Sequence, residues 1–282
     1  MMQTIKNQVI LITGATAGLG KQVARDLAAR EATILLHGRS REKGDATLRE
    51  IRDATGNQKI IYYNADFSSL DEVRRLSEKI QADQKRLDVL INNAGLGAGT
   101  RQSRREESAD GHELRFAVNY LAPFLLTHRL LPLLRRSVPA RIVNVASVGQ
   151  QPLDFDNLML ENGYDGLRAY RQSKLALVMF TFDLAEELKE SGITANSLHP
   201  ASLMPTRMVL ETDYFGSPMS TIEEGAQAVE QLAASPDLDG VSGEYFDGKQ
   251  RGRANSQAYD REARRRLQML SNQLTGLKRS ND

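Results

Sequence analysis

The sequence predicts an α/β fold: one doubly wound parallel sheet of seven strands with helices on both faces, in a single domain spanning residues 1–282. Three observations carry this. Short, nearly continuous apolar runs recur along the chain, as in strands buried on both faces. Longer amphipathic segments separate them, so strand and helix alternate. No internal repeat or low-complexity linker breaks the order.

In chain order the strand runs are QVILIT (8–13), ATILLH (32–37), KIIYYN (59–64), LDVLIN (87–92), ARIVNVAS (140–147), ITANSLH (193–199) and GEYF (243–246). Helical patterns occupy 18–30, 40–54, 70–83, a long stretch around 112–136, 168–190 and 222–234. Ser69 and Glu72 have capping-box spacing at the head of the third helix. Residues 97–111, polar, charged and bounded by glycine, read as a mobile surface loop. Residues 200–221 carry Pro200, Pro205 and Pro218 among Leu203, Met204, Met208, Val209, Leu210, Tyr214 and Phe215. That segment is too apolar for a free loop and too rich in proline for a continuous helix. It is expected to form a lid at the carboxyl end of the sheet, where ligands bind in such folds, and to favour an apolar substrate. From about residue 255 a basic helical tail follows; Leu267, Leu270 and Leu274 recur at helical spacing and face inward, opposite a solvated charged face.

Composition narrows the function. Lys+Arg 37 against Asp+Glu 36 leaves a formal +1, so no global field draws nucleic acid or anionic membrane. The absence of cysteine excludes disulfides, thiolate metal sites and a cysteine nucleophile. The four histidines lack metal-ligand spacing, no metal is expected, and His199 before Pro200 reads as a structural strand end. The early run VILI is too short for a signal-peptide core, and no stretch reaches the roughly 18 apolar residues of a membrane span. A cytoplasmic protein is the expectation.

Chemistry-bearing residues sit at strand ends. In LITGATAGLGKQVARDLA, Gly14, Gly18 and Gly20 punctuate the first strand-to-helix turn, which suits the approach of a pyrophosphate to a helix N-terminus. The second strand ends LLHGRSREK with no acidic residue to grip a ribose 2′-hydroxyl; Gly38 leaves room and Arg39 can pair with a 2′-phosphate, which points to NADP(H) over NAD(H). The alternative is that Arg39 is a cation on a solvated helix start. Asp66, in NADFSS, stands where it can reach an adenine edge or cap the next helix. LINNAG places Asn93, Ala94 and Gly95 at a tight corner, for a ribose or merely as a strand stop. In YRQSK, Tyr170 and Lys174 share a helix face, as a surface pair or as an acid with a neighbouring cation.

Together TGATAGLG, NNAG, VNY, IVNVAS and YRQSK resemble the short-chain dehydrogenase/reductase family over nearly the whole chain; LRAYRQSKLALVMF and TANSLHP are similar to its retinol-dehydrogenase-like branch. The resemblance implies a Rossmann-like NADP(H)-dependent oxidoreductase acting on a small, apolar alcohol or carbonyl compound. It implies Tyr170 as general acid/base, Lys174 as its activator, Ser147 as partner of the substrate oxygen and Asn119 as holder of a water relay. Around the cofactor it implies Gly14, Thr16, Gly18, Leu19 and Gly20 in the first turn, Arg39, Asp66 and Phe67 on the adenosine side, then Asn93, Ala94 and Gly95. Tyr170, Lys174, Pro200 and Thr206 would lie by the nicotinamide. Lys174 and an oxidised nicotinamide would both lower the phenol's pKa. The rival reading is a catalytically silent NADP(H)-binding regulatory or scaffold protein. The chain departs from the family at Ala146, at Ala201 and at Phe67, where serine, glycine and leucine are usual. Family members pair through helices matching 120–134 and ALVMFTFDLAEEL, so a homodimer or homotetramer is expected.

Overall fold

A computed structural model describes residues 5–277; residues 1–4 and 278–282, the two ends of the expected domain, lie outside it. The apolar runs form strands β1 (Val9–Ile12), β2 (Thr33–Gly38), β3 (Ile60–Asn64), β4 (Val89–Asn92), β5 (Ala140–Val145), β6 (Ile193–His199) and β7 (Tyr245–Asp247). An eighth, β8 (Gln250–Arg251), adds a hairpin edge; two polar residues carry no periodicity, so it was not visible in the sequence. The order is β3-β2-β1-β4-β5-β6-β7-β8, parallel except for β7–β8. The order reverses between β1 and β4, a switch point that opens a crevice at their carboxyl ends.

The helices are α1 (Gly18–Ala29), α2 (Arg41–Thr55), α3 (Leu70–Asp83), α4 (Leu114–Phe116), α5 (Ala122–Arg135), α6 (Gly166–Glu187), α7 (Arg207–Leu210), α8 (Ile222–Ala234) and α9 (Arg261–Thr275). The stretch expected as one helix around 112–136 is α4 and α5 joined by a π-helical turn, Ala117–Leu121. Apolar cores fill both sides of the sheet: α3, α5, α6 and α9 lie over one, α1 and α8 over the other. Ser40, Ser69, Asp165, Thr221 and Asp260 cap helices with their side chains. The capping box at α3 is only half formed. Ser69 accepts from Glu72 N, but the Glu72 carboxylate takes Asp66 N at 2.6 Å, because Ser69 N is already bonded to Asp66 O.

The tail does more than present a solvated face. Leu267 is buried, Tyr120 Oη meets Ser271 Oγ at 2.6 Å, and Arg264 pairs with Asp183 and Glu186 of α6. Thus α3 and α9 bury the apolar faces of α5 and α6 within one chain, so their composition no longer argues for pairing between chains. Residues 97–111 are likewise tethered rather than loose: Asp110 accepts from Leu70 N, Ala109 N bonds Ser68 O, and Arg105 donates to Met159 O. Among the described residues no helix is long and apolar enough to cross a membrane. A cleft of about 880 Å³ opens at the amino ends of β5 and β6, lined by Ala140, Ile193 and Arg261, at the opposite end of the sheet from the residues singled out above.

Candidate active site

Two strand ends are sewn together at the switch point. Thr13 Oγ1 accepts the backbone N–H groups of Asn93 and Ala94, each at 2.9 Å, and the Asn93 amide donates to the carbonyls of Thr13 and Gly14. Gly14 has φ +65°, and a Cβ there would lie 2.8 Å from Ala94 Cα; a Cβ on Gly20 would strike the Asn93 amide and the Gly14 carbonyl. These glycines are therefore needed by the chain's own packing. Helix α1 starts at Ala17 with no side-chain cap, which leaves its first N–H groups for an anionic ligand. Leu19 is buried, and a Cβ on Gly18 (φ +52°) would touch the Thr206 methyl at 3.3 Å. The turn therefore fits a dinucleotide pyrophosphate.

On the adenosine side, Gly38 abuts Thr16: an added Cβ would come within 2.6 Å of Thr16 Cγ2. Arg39 is exposed and forms no ion pair among the described residues, so its guanidinium remains available for a phosphate. Asp66 accepts from Ser68 N at 2.9 Å and so closes its own turn. Phe67 turns its ring into the core and stacks on His37, 4.2 Å between centroids, so a ligand in the crevice would meet its backbone. His37, inside the run ATILLH, drew no attention in the sequence. It is buried, with Nδ1 3.4 Å from Gly14 N and Nε2 3.1 Å from Ala65 O. Burial drives its pKa down to about 4, against the Ala65 bond and Asp66, which raise it.

Helix α6 carries the opening-turn pair, held by Asp165, which accepts from Arg168 N. Ser147, just beyond β5, stands beside the Tyr170 ring: a Cβ built on Gly149 would lie 3.3 Å from Ser147 Oγ and 3.8 Å from Tyr170 Cε1. The Lys174 ammonium lies 5.9 Å from the Tyr170 ring centroid, within cation–π range, and donates to Val145 O at 2.9 Å. Tyr170 is half-buried by surface area yet closely enclosed by protein. Burial pushes its pKa up, and Ser147 pulls it part of the way back. Lys174 is expected to lower the phenol together with an oxidised nicotinamide, and burial acts in the opposite direction. Lys174 is itself almost fully buried, and desolvation brings it down to about 8. Tyr245 Oη and Gln150 Nε2 both donate to Ser147 O and fix that turn.

Asn119 sits in the π turn with no exposed surface. Its Oδ1 accepts Leu96 N at 2.7 Å, and its amide donates to Leu96 O and to Ser173 Oγ, which in turn bonds Tyr170 O. Both amide hydrogens are thus committed to protein, and a water relay held here would use other atoms of Asn119. The role on view is positional: Asn119 ties the β4 corner to α6. A Cβ on Gly95 would lie 3.2 Å from Asn119 Oδ1 and 3.5 Å from Lys174 Nζ, so the corner reaches the pair directly. Sequence reasoning also missed Arg115, buried, which donates to the carbonyls of Gly97 and Ala98 and to Tyr164 Oη. It clamps the loop beyond Asn119.

Segment 200–221 closes the crevice from above. Pro200 is buried beyond His199, whose Nε2 lies 3.0 Å from Ser202 Oγ. Met204 packs against Leu19 and Gly225, and Met208 lies over Gly97. Thr212 donates to Gly99 O, Arg101 N donates to Asp213, and Tyr214 Oη donates to Asp165 at 3.3 Å. The expectation that the apolar side chains here line the pocket fails for Leu210, 63% exposed, and the segment's Met219 is likewise 77% exposed. A lone outward leucine on a single-turn helix has nothing to pack on.

The model of the short chain dehydrogenase family matches residues 8–214. Human retinol dehydrogenase 13 is 38% identical over 97% of this chain and 86% of its own length; human retinol dehydrogenase 11 is 36% identical over 97% and 87%. Among solved structures, an uncharacterised protein of Mycobacterium paratuberculosis matches at TM-score 0.78 and 28% identity, covering 98% of this chain and 96% of that one. A short chain dehydrogenase of Escherichia coli CFT073 complexed with NADPH matches at TM-score 0.71 and 27% identity, covering 88% and 100%.

Proposed function

The chain belongs to the short-chain dehydrogenase family, in its retinol-dehydrogenase-like branch, and is an oxidoreductase; from that premise we propose that it is an NADP(H)-dependent enzyme interconverting an apolar alcohol and its carbonyl compound. The observation that carries the reading is the Lys174 ammonium 5.9 Å from the Tyr170 ring centroid, with Ser147 Oγ beside the same ring. NADP(H) is supported by the unpaired Arg39, the uncapped α1 and the NADPH in the Escherichia coli relative. An apolar substrate is supported by Met204 and Met208 over the crevice and by relatives named for retinol.

Gly14, Thr16, Gly18, Leu19 and Gly20 would hold the pyrophosphate, Arg39 and the Asp66–Phe67 backbone the adenosine. Asn93 to Gly95, Pro200 and Thr206 would line the nicotinamide side. When bound, the nicotinamide supplies the hydride in reduction and takes it in oxidation. Tyr170 Oη gives its proton to the carbonyl oxygen as that oxygen gains charge, and Ser147 donates to the same oxygen. Lys174 holds a positive charge beside the resulting phenolate. In oxidation Tyr170 takes the proton back. Segment 200–221 shields the transfer from water.

Tyr170→Phe tests this: NADPH oxidation with a panel of carbonyl compounds should fall by about 10³-fold or more while NADPH affinity changes little. Activity retained in the Phe variant would show that Tyr170 is not the acid. Association as a homodimer or homotetramer and residence in the cytoplasm remain part of the proposal. The first is read by light scattering, the second by fractionation.

A further inference from the structure

We infer that His37 is a positioning residue of the cofactor site, one that sets the pyrophosphate turn and the adenine-side corner in a single arrangement. Four observations converge on it. Its imidazole is 3% exposed, inside the second strand. Gly14 N can only donate, so the Nδ1 that receives it at 3.4 Å must be the unprotonated nitrogen. The proton is therefore on Nε2, which donates to Ala65 O at 3.1 Å. The two nitrogens thus grip the first residue of the glycine turn on one side and the residue before Asp66 on the other. Finally, the ring stacks on Phe67 at 4.2 Å with 21° between planes, which fixes the imidazole's rotation.

The grip is selective. Gly14 N donates to His37 Nδ1, and Ala15 N is bonded to the His37 carbonyl at 2.9 Å. His37 therefore holds two successive residues of the turn, one by side chain and one by backbone. Ile34, Leu35 and Leu36 precede it in ATILLH, and an apolar residue at 37 would fill the space while leaving Gly14 N and Ala65 O without these partners.

The inference rests on the NADP(H) reading, and the experiment separates the two. NADPH and the half-cofactor adenosine 2′,5′-bisphosphate are titrated calorimetrically into the unmutated protein and into His37→Leu, His37→Gln and Phe67→Leu, with unfolding curves for each. His37→Leu should weaken both ligands about tenfold or more, and raise the KM for NADPH with a much smaller change in kcat. His37→Gln, whose amide can still donate to Ala65 O, should recover part of the loss. Phe67→Leu, which keeps the imidazole but frees its rotation, should weaken binding by a few-fold and serves if His37→Leu does not fold. Ligand affinities equal to the unmutated protein's in all three variants, whatever their stability, overturn the inference and leave the cofactor reading standing. Absence of NADPH binding by the unmutated protein overturns both.

Discussion

Lys174 is placed to cost the empty protein stability, and that cost is measurable. Desolvation brings its pKa from 10.5 to about 8. The folded form therefore binds its proton less tightly than the unfolded chain. The neutral amine suits the fold, so the contribution of this site is most favourable above the unfolded value, near 10.5, and is lost as pH falls through 8. At pH 7 the penalty is about 3 kcal/mol, from roughly 1.4 kcal/mol for each pKa unit. Lys174→Met keeps the length of the stem, removes the charge and gives up the bond to Val145 O, itself about 1 kcal/mol. The net expectation is a ligand-free protein more stable by about 1–2 kcal/mol at pH 7, or roughly 3–6 °C in Tm. Carbonyl reduction should be lost in the same variant.

Urea unfolding of the ligand-free proteins at pH 7 and pH 10 reads this out. The advantage of the Met variant should shrink by about 2 kcal/mol at the higher pH, where the folded lysine is already neutral and only the unfolded one still holds its proton. A Met variant less stable than the parent at pH 7, or a gap indifferent to pH, would refute the claim that a buried ammonium strains this site.

Arg39→Ala should weaken NADPH by about 1–3 kcal/mol, near five- to 150-fold, and leave NADH unchanged by titration; equal losses for both would remove the 2′-phosphate role. His37, whose pKa falls from 6.5 to about 4, stabilises the fold fully above pH 6.5 and loses that contribution as pH drops toward 4. His37→Gln should flatten the acid-unfolding curve there by up to about 3 kcal/mol. Hydrogen exchange in 200–221 should slow when NADP and a substrate analogue bind together; unchanged exchange in that ternary complex would leave the segment a fixed cover rather than a lid. A chain ending at residue 255 should lose stability and expose α5 and α6, with light scattering reporting aggregation; an intact, well-folded truncation would show that α9 covers nothing of consequence.

Most of the sheet was legible because burial on both faces writes strands as apolar runs. Ile10, Leu11 and Ile12 alternate between two cores and still read as one block. What escaped was set by contacts distant in sequence. The π turn at 117–121 contains neither glycine nor proline; Asn119, bonded to residues 23 and 54 positions away, accompanies it. Arg115 finds Tyr164 across 49 residues. His37 looked like one polar letter in an apolar run, and only the register of β2 beside β3 reveals Ala65 and Phe67 as neighbours. The stripe Leu267, Leu270, Leu274 announced an inward face but could not say that α5 and α6 lay beneath it.

The site's chemistry follows from one asymmetry. Burial holds Tyr170 in its protonated form and at the same time loosens the proton of Lys174, so the same enclosure pushes an acid up and a base down. In that state the phenol is ready to give a proton, as reduction requires, and unready to take one. Ser147, the counterweight on Tyr170, is neutral and offsets only part of the desolvation. Oxidation needs the phenolate, and so needs positive charge near Tyr170, which Lys174 supplies in part. A cation on the nicotinamide side would supply it beside Lys174, while every contact made by Asn119, Ser173 and Val145 keeps the two side chains in place. On the proposed reading, the protein's part is to hold a proton at Tyr170 Oη for the carbonyl oxygen.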